Sequence, residues 1–317
     1  VSSSVIFTKV RRNREMKKKL YKFKKIDAFA TEKSNGNPAG TIWLESKKDI
    51  KPDDMLKIAK ELKGFVSEVG YIHKIKEAKY GIKFYSSERE VNFCGHATIA
   101  LMYELFNTEK ELENKDQIQI ITNDGELNVE NRIKKDDAVF IMSPSPKEQI
   151  KLPSLNDTAI NLNIDPKIIN MDLPIKIINA GLKTLIVPIK SLDSIIKIIP
   201  DLNVLNDFCI KNDIDIVEVF TDDVSNKGND YRVRVFAATF GYLEDPATGS
   251  GNSAFGYYLI KNNMWNKETV ILEQNNQIEN YNVIKLQKIN DKQGNPRIIF
   301  GGGAIKRIEG EYILYSK

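Results

Sequence analysis

The chain has 317 residues, 41% hydrophobic and 28% charged, which excludes a disordered or fibrous protein and is enough for two domains with separate cores. Lys and Arg outnumber Asp and Glu by 47 to 43, a formal +4, yet residues 1–25 hold ten of the bases and one acid, Glu15. The other 292 residues carry 37 bases against 42 acids, a net −5, so a nucleic-acid partner is not expected for the body of the chain. Two Cys (Cys94, Cys209) and two His (His73, His96) cannot complete a four-ligand structural zinc site by themselves, and two distant thiols make no disulfide framework. The reading is therefore cytoplasmic, without a structural metal. No stretch approaches the ~18 apolar residues of a membrane span.

Residues 1–15 read as an upstream extension before Met16, with a targeting peptide or a polyanion-binding arm as the alternatives. Leu20–Phe29 and Ala39–Leu44 read as strands around the turn cluster Thr31–Pro38, and Pro52 opens an amphipathic helix that Gly64 closes. Period-two alternation puts Val66, Glu68, Gly70 and Ile72 on one face of the next strand, a carboxylate among apolar neighbours. Burial there should raise the pKa of Glu68. After the strand Ile82–Tyr85, the segment His96–Phe106 is apolar nearly all round, as a buried helix is. Asn123-Asp124-Gly125 marks a hairpin, Ala138–Met142 a strand, and Ser143-Pro144-Ser145-Pro146 a linker.

The second half repeats the order of the first. Lys183–Ile189, two helical stretches within 192–210, Ile214–Phe220 and Tyr231–Ala237 lead into a second apolar helix, Ser250–Ile260. An offset of 154 lays Cys94-Gly95-His96 on Thr248-Gly249-Ser250 and Ala100 on Ala254. This implies an α+β fold of two pseudo-symmetric, barrel-like β-rich domains, each wrapped around a buried central helix. The expected domains are 16–142, completed by the last strand near 305–316, and 143–304. Gly95 and Gly249 each stand at a helix start, where free N–H groups and the helix dipole favour an anion.

The blocks KIDAFATEKSNGNPAG, VSEVGYI, EVNFCGHATIA and RVRVFAATFGYLEDPATGSG, with the closing GGGAIKRIEGEYIL, resemble the PhzF-like isomerases of phenazine biosynthesis, within the diaminopimelate epimerase-like fold. The resemblance spans most of the chain after Met16. It implies a cofactor-independent isomerase that moves a proton within a small carboxylic acid bound between the domains. Glu68 would be the general acid/base, with His96, Asp245 and Ser250 across the site and Asn37, Cys94, Gly95, Thr248, Gly249 and Gly251 contacting substrate. It also implies a homodimer. The alternatives are an inert binding protein of the same fold and a cysteine-dependent racemase, which would lack its second thiol because Thr248 stands opposite Cys94. One stretch departs from the family pattern: Gln274-Asn275 and Glu279-Asn280 replace Gln-Gly and Gly-Arg.

Overall fold

The computed structural model describes residues 17–316, so the 1–15 extension lies outside the described residues. Strands β1 (Lys17–Ala28) and β2 (Asn37–Leu44) pair antiparallel, and α1 (Pro52–Glu61) starts on its proline and buries Met55, Ile58 and Ala59. Strand β3 (Glu68–Lys76) joins β2 in parallel; β4 (Lys79–Ser86) returns beside it, and the two-residue β5 (Glu90–Val91) precedes α2 (Gly95–Thr108). Strand β6 (Gln117–Thr122) runs parallel to β4 and forms a hairpin with β7 (Gly125–Asn131), where Gly125 adopts φ +114°, a conformation that suits glycine. The short α3 (Ile133–Asp136) leads to β8 (Val139–Met142).

The second half starts with β9 (Lys147–Gln149) and α4 (Leu155–Asn161), then the antiparallel pair β10 (Lys176–Asn179) and β11 (Lys183–Pro188). Helices α5 (Leu192–Ile196) and α6 (Leu202–Lys211) follow, capped by the side chains of Ser191 and Asp201. Strands β12 (Ile216–Thr221), β13 (Tyr231–Phe236) and β14 (Glu244–Asp245) precede α7 (Gly249–Lys261). The chain ends in β15 (Thr269–Gln274), β16 (Asn282–Asn290), β17 (Pro296–Gly302) and β18 (Ala304–Ser316).

The internal repeat is visible in the ladders. The parallel pairs β2–β3 and β4–β6 recur as β11–β12 and β13–β15, and α2 and α7 occupy the same place in the order. The first half is completed by a strand from the far end of the chain, β18, which pairs with β1, and in the second half β9 pairs with β10. Pairing of β17 with β8 makes the sheet continuous between the halves. The two central helices share one core, which includes Ala97, Leu101 and Leu105 of α2 and Ala254, Phe255 and Tyr258 of α7. The outer faces are covered by α1 in the first half and by α4, α5 and α6 in the second; Cys209 is buried in that second outer core.

Two expectations need correction. Val66 does not share the face of Glu68: β3 begins only at Glu68, and Val66, in the turn before it, packs with Val69 and Tyr71 against α1. The turn breaks the two-residue alternation. Ser143, expected in a linker, is buried and donates from Oγ to the Ile298 carbonyl at 2.9 Å, which ties the crossing between halves to β17.

Candidate active site

Glu68 opens β3 and points toward α2, because Gly70 and Ile72 on the same face pack there; a Cβ on Gly70 would come within 2.9 Å of Leu101. Its Oε2 lies 3.1 Å from Nε2 of His96, the second residue of α2. Cys94, at the N-cap position, places Sγ 3.7 Å from the same Oε2 and 3.5 Å from His96 Nδ1. Burial alone would lift the Glu68 carboxyl, but the hydrogen bond and charge of His96 and the Cys94 contact outweigh it, and the pKa falls below the usual carboxylate value. This reverses the expectation of a raised pKa, since the sequence showed the apolar face but not the imidazole facing it. Burial opposes charge on His96, yet its contacts with Cys94 and Glu68 raise its pKa well above the ordinary one. Burial and the Glu68 charge raise the Cys94 thiol. Of the two acids that face His96, the carboxyl is favoured in its charged form and the thiol in its neutral form. The three donor atoms lie within 4.8 Å of one another, close enough for one cation, but each is already satisfied by the other two.

The other wall comes from the loop before α7. Asn37, buried at the start of β2, donates from Nδ2 to Asp245 Oδ1 at 2.8 Å and to the Ala247 carbonyl at 2.9 Å, while its Oδ1 accepts from Ser67 Oγ at 3.1 Å. Burial, with the Glu68 charge adding and His96, Thr248 and the Ala247 N–H opposing, lifts Asp245 to about 6. Gln274, fully buried, was named from the sequence only within the atypical stretch and not as a site residue, although it organises this loop. Its Nε2 donates to the Asp245 carbonyl at 2.9 Å, and its Oε1 accepts from Thr248 N–H at 3.0 Å and Asn252 Nδ2 at 2.7 Å. A buried amide ending a strand was the available signal. In the atypical stretch, Asn275 takes φ +125°, the backbone conformation that a glycine would hold at lower cost. The hydroxyl of Tyr242, a residue beside Phe240, is pushed up by burial and by the charges of Asp245, Glu68 and Cys94.

Gly95 and Gly249, first residues of α2 and α7, both abut the ring of Phe300 from β17. A Cβ on Gly95 would meet Phe300 Cζ at 3.2 Å, and one on Gly249 would meet Cε2 at 2.1 Å, so the two helix starts are brought together across one aromatic ring. Ser250 is the second residue of α7 and half-buried; its Oγ makes no hydrogen bond among the described residues and lies 3.5 Å from where a Cβ of Gly181 would sit. Thr248 occupies the N-cap position of α7, as Cys94 does in α2, and neither side chain caps its helix. A Cβ on Gly251 would come within 2.9 Å of Glu218 Oε2 in β12. Among the described residues no helix is long and apolar enough to cross a membrane.

Two repeated β-rich halves, each wrapped around a buried helix whose start abuts Phe300, make the diaminopimelate epimerase-like fold. Within that class, the chain belongs to the phenazine biosynthesis-like protein family (PhzC-PhzF), whose model matches residues 26–310. It is 29% identical over 285 residues to the uncharacterized isomerase YfhB of Bacillus subtilis, covering 89% of this chain and 94% of that one. An uncharacterized isomerase of Clostridium acetobutylicum is also 29% identical, over 308 residues, covering 93% and 98%. The Bacillus anthracis PhzF-family crystal structure superposes with a TM-score of 0.81 at 22% identity, covering 93% of this chain and 99% of that one.

Proposed function

We propose that this isomerase moves a proton within a small unsaturated or amino carboxylic acid, with Glu68 as the acid/base and the facing helix starts holding the substrate carboxylate. The observation that carries the reading is the Glu68–His96 pair at the first turn of α2. The resting Glu68 is ionised and so already in the form that accepts a proton. An arriving substrate carboxylate would compete for the His96 imidazolium and repel Glu68, restoring the proton affinity that burial favours. Glu68 would then take a proton from a carbon conjugated with the carboxyl. The electron pair of that C–H bond spreads into the carboxylate, which His96 and the backbone N–H groups of α2 and α7 hold. Return of the same proton from Glu68 to another carbon of the conjugated system shifts the double bond, with no change of oxidation state.

Asn37 and Gln274 act as positioning residues for Asp245 and the start of α7, and Ser250 and Tyr242 are free to meet substrate. The two units would be 16–142 with 305–316, and 143–304. The cysteine-dependent racemase is the weaker reading, because Thr248 stands where a second thiol is needed and a threonine hydroxyl is too weak an acid for that role. Deuterium uptake from D₂O into a panel of small unsaturated and amino carboxylic acids tests the proposal. Glu68→Gln is expected to abolish exchange while circular dichroism stays unchanged; undiminished exchange in that variant would refute the role of Glu68.

A further inference from the structure

The first half holds a cavity of about 460 Å³ away from the catalytic cluster, between β1–β2–β3, the middle of β18 and the C-terminal half of α2. That is within the size range of small-molecule sites. Its apolar lining comes from Trp43 on β2, Ile72 on β3, and Leu101 and Leu105 on α2. Thr41, also on β2 and only 8% exposed, lines it too, and its hydroxyl oxygen is buried with no hydrogen-bond partner among the described residues.

The rim has a sign. Four carboxylates line it, from Glu104, Glu109, Glu309 and Glu311, against two ammonium groups, Lys22 and Lys24. Lys24 is already paired with Glu104 at 2.7 Å and Glu309 at 3.6 Å, and Lys306 reaches the same two acids. Lys22 faces Glu311 in the strand ladder without closing an ion pair, and Glu109 has none among the described residues. The excess is therefore negative, next to an indole that can face a cation.

From these features we propose that this cavity binds a small organic ammonium ion. Its apolar body would lie between Trp43 and the leucines of α2, and its charge near Glu109 and Glu311. The site is independent of the isomerase reading and shares no residue with the catalytic cluster.

The test is calorimetric titration of the full chain with 2-phenylethylammonium, followed in parallel by Trp43 fluorescence. Saturable binding is expected, weakened at least tenfold by Thr108→Trp, which plugs the mouth from an exposed position at the end of α2, and about tenfold by Glu109→Gln with Glu311→Gln. The same-shaped anion 3-phenylpropionate should not displace it. Absence of binding up to about 10 mM, binding undiminished in both Thr108→Trp and the double glutamine variant, or displacement by 3-phenylpropionate would each overturn the proposal. Unchanged circular dichroism in the variants separates loss of the site from loss of the fold.

Discussion

Replacing Gly249 with alanine tests whether the two helix starts depend on one ring. The added Cβ would stand 2.1 Å from Phe300 Cε2 and 2.7 Å from both Cδ2 and Cζ, where carbon atoms ordinarily settle at about 3.5–4.0 Å. The ring must retreat by more than ~1 Å. It has little room, because β17 is paired on both sides, by β16 and β8, and Gly95 closes the opposite edge. Overpacking of this kind costs roughly 1–3 kcal/mol, and a ~1 Å displacement of a positioning element lowers turnover by about 10²-fold. Gly95→Ala is the internal control: its Cβ would meet the ring at 3.2 Å, which a few tenths of an ångström relieves, so stability should change by under about 1 kcal/mol. Urea unfolding gives the stability, and deuterium exchange on the identified substrate gives the turnover. Adding Phe300→Leu to Gly249→Ala should recover part of the lost stability. If Gly249→Ala stays within twofold of the parent in turnover and within about 0.5 kcal/mol in stability, the ring does not couple the helix starts.

Asp245, with a folded pKa of about 6 against an ordinary 3.8, penalises the ionised native state. The native state holds this proton more tightly than the unfolded chain, so the associated stability is present below about pH 4 and lost as pH rises through about 6. Asp245→Asn, which keeps an acceptor for Asn37, should therefore gain up to about 3 kcal/mol relative to the parent at pH 8 and show little difference near pH 4 by urea unfolding; a gap that does not widen with pH would refute this. Glu218 is fully buried, has no partner for either oxygen among the described residues, and is held protonated by desolvation. Glu218→Met should stabilise the chain by about 1–3 kcal/mol, and destabilisation would mean that the carboxyl supports α7. Arg232, also fully buried, binds Glu273, Ser225 and the carbonyls of Asn275, Gln277 and Ile278. Arg232→Met should cost about 3–5 kcal/mol by leaving Glu273 uncompensated, and a loss below about 1 kcal/mol would show that the 275–278 loop holds itself.

The sequence made the repeat, both central helices and most long strands legible, because these elements bury one face and so impose a period on their own residues. Short pieces such as β5 and β14 carry no period in two residues and leave no pattern to read. Glu68 could be placed on an apolar face by alternation, but its charge state could not, since that depends on His96, 28 positions away and brought close by the order of the elements. The same holds for Gln274: its three partners sit at Asp245, Thr248 and Asn252, and the strand that carries it looks ordinary until the loop is folded over it.

The pairing of β1 with β18 also constrains how the molecule is made. Lys17 lies opposite Ser316 and Ala28 opposite Ala304, so the barrel around α2 lacks one wall until some 300 residues have followed its first strand. The second half has all the strands of its own ladders, from β9 to β17, once Gly302 is made. During synthesis the later-made half should therefore be first to complete its sheet, while β1 waits with one edge unpaired, the state in which a strand is most exposed to wrong partners. The six lysines in the sequence of β1, at positions 17, 18, 19, 22, 24 and 25, put charge on that waiting strand.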